Sequence, residues 1–154
     1  MKKIVLLLAI ITLGFNCFAQ TTSKPVYNAA LAKKLGADKY GMKKYVMAFL
    51  KDGPTQIKDS VARAKLQNAH LKNIMKLAAE GKLIVAGPFL DDQAIRGIFI
   101  FNVETVEEAK ILTETDPAIK AGELTMELHP WYGSAALMEV VNIHHTIESK
   151  SVAD

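Results

Sequence analysis

The chain has 154 residues, half of them apolar, with 19 basic and 16 acidic side chains and a formal net charge of +3. That length fits one domain around one core, and so small a charge excludes the electrostatic footprint of a nucleic-acid binder. The only cysteine is Cys17, which excludes an internal disulfide or a cysteine-built metal site.

Residues 1–19 read as a secretory signal peptide. Lys2 and Lys3 form a basic start, Ile4 to Phe15 an apolar run, and Cys17-Phe18-Ala19 a cleavage site. The run is 12 residues long, short of the roughly 20 that an uncleaved membrane anchor needs. Lipid attachment at Cys17 is a third reading, disfavoured by the bulky Phe15 and Asn16 before it. Cleavage after Ala19 leaves about 135 residues with no cysteine and 17 basic against 16 acidic side chains. The chain is thus expected to be exported, periplasmic or extracellular, and not held at a membrane after cleavage. An exported domain without disulfides is held by packing alone.

Residues 20–42 read as a linker with a short helix, AALAKKL, capped by Asn28 and ended by Gly36. Lys44 to Lys51 predicts a strand ended by Gly53-Pro54. A long helix is expected from about Gln56 to Glu80, stopped by Gly81. Lys82 to Ala86 and Arg96 to Val103 predict two more strands, the first closed by Gly87-Pro88. Thr105 to Glu114 predicts a second helix, with Glu104, Glu107 and Glu108 near its positive N-terminal end. Glu123 to Trp131 predicts a fourth strand and Ala136 to Ile143 a short fifth. The domain is set at residues 43–143, with a tail at 144–154. This β-α-β-β-α-β order gives an α+β, ferredoxin-like sandwich.

Two strands are apolar on both faces. Tyr45, Met47 and Phe49 alternate with Val46, Ala48 and Leu50, and Ile98 and Ile100 with Phe99 and Phe101. Two helices cover only one face of such a sheet, so a second protomer is expected on the other. The fourth strand differs: Leu124, Met126 and Leu128 oppose Thr125, Glu127 and His129, which face either solvent at an edge or a pocket.

At about 100° per residue the long helix sorts into two faces. Lys58, Lys65, Lys72 and Lys76, with Ala62, Ala69, Asn73 and Glu80, form a solvated stripe. Val61, Ala64, Leu71, Ile74, Met75, Leu77 and Ala78 form the apolar arc. Arg63 and His70 lie within that arc, nearly in line. Buried or half-buried, they need partners. The alternative is a core histidine satisfied by a backbone carbonyl, with Arg63 reaching out to solvent.

Ala69-His70-Leu71, Glu80-Gly81-Lys82-Leu83, Ala86-Gly87-Pro88, Val106-Glu107-Glu108-Ala109, Asp116-Pro117 and Ala121-Gly122 occur in this order. Together they resemble the YCII-related (YciI-like) family over roughly residues 43–132. The resemblance implies a ferredoxin-like protomer that pairs sheet to sheet as a dimeric α/β barrel. It also implies a site built on a His–Asp dyad, carried here by His70 and Asp116. Relatives in the wider superfamily, among them a muconolactone isomerase and a dehydrochlorinase, move protons on small oxygenated rings. Two features depart from the family: the exported leader, and Ala118 where an aromatic is commoner.

Histidine titrates near neutrality and can take and return a proton, and a carboxylate on one ring nitrogen fixes the tautomer at the other. Asp116 suits that role because Pro117 restricts its backbone. No G-x-S-x-G elbow is present, and no serine lies near His70 or Asp116 in sequence. The expectation is a cofactor-free enzyme that isomerises or eliminates from a small organic acid or lactone. Arg63 is the candidate anion holder. His129 and Trp131 either line the pocket or end the strand. No metal is expected: His144-His145 lacks a third ligand. The alternative is a non-catalytic small-molecule-binding module of the same fold. A heme-using barrel monooxygenase is a more distant third.

Overall fold

The computed structural model describes residues 25–152. The expected signal peptide at 1–19 lies outside the described residues. The elements are α1 (Ala29–Leu35), β1 (Met42–Asp52), α2 (Ser60–Ala79), β2 (Leu83–Pro88), β3 (Ile95–Phe101), α3 (Val106–Thr113), α4 (Pro117–Lys120), β4 (Leu124–Ser134), a 3-10 turn (Ala135–Glu139) and α5 (Val140–Ile147). The four strands form one antiparallel sheet in the order β2-β3-β1-β4. With α2 and α3 packed on one face, this is the α+β, ferredoxin-like arrangement.

Local chemistry sets the helix starts. Asn28 caps α1 by accepting from the Leu31 amide, and Gly36 closes it in the left-handed region at φ 68°. α2 begins at Ser60, four residues later than the apolar pattern suggests, because Asp59 accepts from the Ala62 amide. Residues 53–59 are instead a loop. Thr105 and Glu108 form a reciprocal capping box on α3. Those hydrogen bonds hold the Glu108 carboxyl below its ordinary range, the Thr105 hydroxyl contributing most.

The main core lies between the helices and one sheet face. Val46, Ala48 and Leu50 of β1 meet Phe99 and Phe101 of β3, Leu77 of α2, and Ala109 and Leu112 of α3. Leu124, Met126 and Leu128 of β4 pack against the same cluster. Glu127 and His129 are exposed at the edge strand, with Glu127 bonded to Lys51 and His129.

The expected fifth strand is replaced by the 3-10 turn and α5. Ala, Leu, Met and Glu, which fill Ala135–Glu139, favour helix, and the Ser134 hydroxyl accepts from the Ala136 amide. This change also corrects the reading of the second sheet face. Tyr45, Ile84 and Ile100 are buried there with Leu137 and Met138 packed against them, so the chain's own C-terminal segment covers part of that face. Met47, Phe49 and Ile98 remain half-buried.

Two details of α2 also differ. Its first two turns are largely exposed, Arg63 included, because they extend beyond the packed core; the buried residues of this helix are His70 and Leu77. Asn73 leaves the solvated stripe. It is half-buried and faces Thr115, whose hydroxyl lies 3.2 Å from its Oδ1.

Candidate functional site: a buried His–Asp pair at a cleft

Two residues 46 positions apart meet behind α2. His70 Nδ1 lies 2.7 Å from Asp116 Oδ2. Asp116 is 1 % exposed and His70 6 %. Asp116 takes this position as the N-cap of α4. Pro117 at the first helical position keeps residue 116 extended, at φ −74° and ψ 124°, and its Oδ1 accepts from the Ala118 amide at 2.9 Å. Each carboxylate oxygen therefore has a distinct partner, one on the backbone and one on the ring. A buried carboxylate is tolerable only with such partners.

With Asp116 ionised and the ring neutral, the carboxylate can only accept, and the proton between the two groups then belongs to Nδ1. Nε2 is then the ring nitrogen left with a lone pair. Among the described residues it has no hydrogen-bond partner, and it is not among the side-chain atoms sealed from solvent without one. The ring lies nearly parallel to Phe99, centroids 6.0 Å apart and planes at 16°. Phe99 is itself braced edge-on by Phe101 at 5.7 Å. The imidazole is thus fixed by a carboxylate at one nitrogen and by an aromatic face.

His70 lines a cleft of about 720 Å³ between α2, the loop after β1, β2 and the start of β3. Leu50, Leu71, Ile74, Pro88 and Phe99 give it apolar walls, and Arg63, Arg96, Asp52 and Glu123 give it charge. Asp116 stands behind His70 and does not line the cleft, whereas Ala118 does. The rim at Thr55–Ile57 is pinned by a close backbone crossing. Gly53 donates to the Glu123 carbonyl at 2.7 Å and Thr55 to the Gly122 carbonyl at 2.9 Å. A Cβ on Gly53 would fall 2.1 Å from the Gly122 oxygen, so only glycine fits this crossing.

The structure brings together three of the five residues singled out from the sequence. His70 and Asp116 are in contact, and Arg63 lines the same cleft from seven residues earlier on α2. Arg63 is exposed and makes no ion pair among the described residues, so it is not the half-buried cation that the helix pattern suggested. His129 and Trp131 do not join them. β4 pairs with β1 so that Trp131 opposes Tyr45 and His129 opposes Met47, which places both on the opposite sheet face. There Trp131 packs against Tyr45 at 5.8 Å and His129 bonds to Glu127 at 2.9 Å.

Arg96 was not singled out from the sequence. It lines the cleft and lies 3.6 Å from Asp52 and 3.7 Å from Asp92. Its place depends on how β1 and β3 run past the irregularity at Leu50–Lys51, which no local pattern encodes.

Among solved structures, the chain is similar to 5-chloro-2-hydroxyhydroquinone dehydrochlorinase from Burkholderia phenoliruptrix AC1100, determined in complex with 2,5-dihydroxybenzoquinone. The match has 25% sequence identity and a TM-score of 0.43, covering 58% of this chain and 93% of that one. No curated protein matches the chain in sequence. The profile of the YCII-related domain matches residues 44–131, a span that runs from within β1 to within β4 and includes His70 and Asp116. The chain belongs to the YCII-related domain family.

Proposed function

We propose that the chain is a cofactor-free enzyme that moves protons on a small organic acid or lactone, with His70 as the acid–base group and Asp116 as its orienting partner. The observation that carries this reading is the 2.7 Å contact from His70 Nδ1 to a fully buried Asp116, with His70 on the cleft wall. In the forward step Nε2 takes a proton from a carbon beside a carbonyl group. The C–H electron pair then forms a new double bond. In an isomerisation the imidazolium returns the proton at a second carbon. In an elimination a leaving group departs with its bonding pair and the ring releases the proton to water. Neither course needs a redox partner. Arg63, free of any protein carboxylate within ion-pairing distance among the described residues, is the group that holds the substrate anion.

The same reading places the protein outside the cytoplasm after loss of residues 1–19. It also pairs two copies across the sheet face that carries Met47, Phe49 and Ile98. Purified protein, lacking residues 1–19, is expected to scatter light as a dimer at micromolar concentration. A monomer there contradicts the pairing.

The activity is tested by incubating the protein in D₂O with a panel of small carboxylic acids and lactones, and following deuterium incorporation at carbon by NMR. Wild type is expected to exchange at least one compound, and His70→Gln to lose that exchange by about 10²–10⁴-fold. Arg63→Gln is expected to raise KM about tenfold for an anionic compound and leave neutral ones unchanged. Equal exchange in wild type and His70→Gln contradicts the enzyme reading and leaves a non-catalytic binding module.

A further inference from the structure

Two side-chain hydrogen bonds link α2 to the turn between α3 and α4. One is the His70–Asp116 contact. The other joins Asn73, three residues after His70, to Thr115, immediately before Asp116, at 3.2 Å. The two bonds run side by side, since residues three apart on a helix share a face and 115 and 116 are neighbours. We propose that Asn73 and Thr115 are positioning residues, a clamp that sets the distance between His70 and Asp116. This inference rests on the dyad reading above.

Asn73 has a cost that packing does not explain. Its Nδ2 is sealed from solvent with no hydrogen-bond partner among the described residues. Turning the amide does not cure this. The single Thr115 hydroxyl proton has two acceptors, the Leu112 carbonyl at 2.7 Å and Asn73 Oδ1 at 3.2 Å. If that proton goes to the nearer Leu112 carbonyl, Asn73 Nδ2 can donate to Thr115 Oγ1 only by placing Oδ1 in the sealed position. One polar atom of Asn73 stays unpaired in either arrangement, and an unpaired buried polar group destabilises a fold. An alanine here would remove that penalty and keep good helix propensity. What alanine would lose is the tie between α2 and residue 115.

That tie bears on catalysis because, apart from the His70 contact itself, the hydrogen bonds that hold Asp116 among the described residues are local, to the Thr113 carbonyl and from the Ala118 and Lys120 amides. Without it the His70–Asp116 contact is the one side-chain hydrogen bond left between α2 and this turn among the described residues, and its geometry is set less tightly. A displacement of about 1 Å at a catalytic contact costs on the order of 10²-fold in rate. The clamp therefore acts on Asp116 and through it on His70, with no contact to substrate.

The test uses the protein lacking residues 1–19 and compares Asn73→Ala, Thr115→Val and Thr115→Ser with wild type. The first readout is the slowly exchanging proton on His70 Nδ1, followed by ¹H–¹⁵N NMR; the second is the thermal midpoint. Asn73→Ala is expected to broaden or lose the Nδ1 proton signal while its midpoint is unchanged or higher. Thr115→Ser keeps the hydroxyl and is expected to keep the signal. For any compound turned over, Asn73→Ala should lower kcat about 10- to 100-fold with KM changed by less than about twofold. Asn73→Ala with a wild-type Nδ1 signal overturns the clamp, as does a lowered midpoint with that signal intact. Should Thr115→Val fail to fold, Asn73→Ala still decides the question, because it leaves the Thr115–Leu112 bond in place. A protected Nδ1 proton in wild type with no turnover of any compound contradicts the enzyme reading and leaves the clamp standing. No protected proton in wild type overturns the clamp, since there is then no dyad to position.

Discussion

Asp116→Asn is expected to lower proton-transfer activity by about 10²–10⁴-fold while leaving the protein folded. The reason lies in how the two carboxylate oxygens are used. Oδ1 accepts from the Ala118 amide as the cap of α4, and Oδ2 faces His70 Nδ1. An asparagine has one acceptor and one donor group to distribute between these positions. Keeping the carbonyl on Ala118 preserves the cap, and losing a cap costs roughly 1 kcal/mol. The amide NH₂ then points at Nδ1 and requires a lone pair there, so the ring proton moves to Nε2. The base that faces the cleft is lost although the ring has not moved. The opposite orientation sets two donors against each other at Ala118 and leaves that buried amide unpaired, a penalty of about 1–3 kcal/mol. Exchange rates at saturating substrate, together with the far-UV melting curve, check this. A variant with full activity removes Asp116 from the mechanism.

The second large effect is on stability. Phe99→Ala is expected to destabilise the fold by about 3–5 kcal/mol. Phe99 is 3 % exposed, lies in the main core with Val46, Ala48, Leu77 and Phe101, and forms the surface on which the His70 ring rests. Removing the ring loses its transfer free energy and opens a cavity that the sheet, hydrogen-bonded on both sides of β3, cannot close. The same cavity adjoins the cleft and frees the imidazole to tilt. Chemical denaturation of Phe99→Ala and Phe99→Leu separates the two consequences. Leucine keeps most of the buried volume and is expected to restore most of the stability. It does not restore the flat surface under His70, so its activity should stay well below wild type. A Phe99→Ala variant within about 1 kcal/mol of wild type would contradict this account of the core.

Much of the fold was legible in local patterns. The cap at Asn28, the stop at Gly36, the helix beginning at Thr105 and the alternation along β4 are short-range signals, and the structure uses each of them. The errors arise where tertiary context decides. Ala136 to Ile143 carries apolar residues at spacings that suit a strand or a helix, and helix propensity with the Ser134 cap resolved it. That segment then covered part of a sheet face whose burial had been ascribed wholly to a second copy. Asn73 looked solvated on a helical wheel because a wheel does not contain the α3–α4 turn that packs beside it.

The site divides along the same line. His70 and Asp116 are separated by 46 residues, and no periodicity joins them. Their pairing was legible only through the family resemblance. Arg63 followed from its alignment with His70 on one helix. For His129 and Trp131 the sequence leaves two placements open, lining the pocket or ending the strand. The parity of β4 decides their face: Leu128 and Pro130 oppose Ala48 and Val46 on the helix side, so their neighbours turn away. Arg96 needed the register of two strands across an irregularity.

The account turns on one proton. Long-range ¹H–¹⁵N NMR of the wild-type protein lacking residues 1–19, recorded where the His70 ring is neutral, reports which nitrogen carries it. The expected result is a protonated Nδ1, bonded to Asp116, and a bare Nε2 toward the cleft. A neutral ring protonated at Nε2 would contradict it, because His70 would then have no lone pair to offer a substrate.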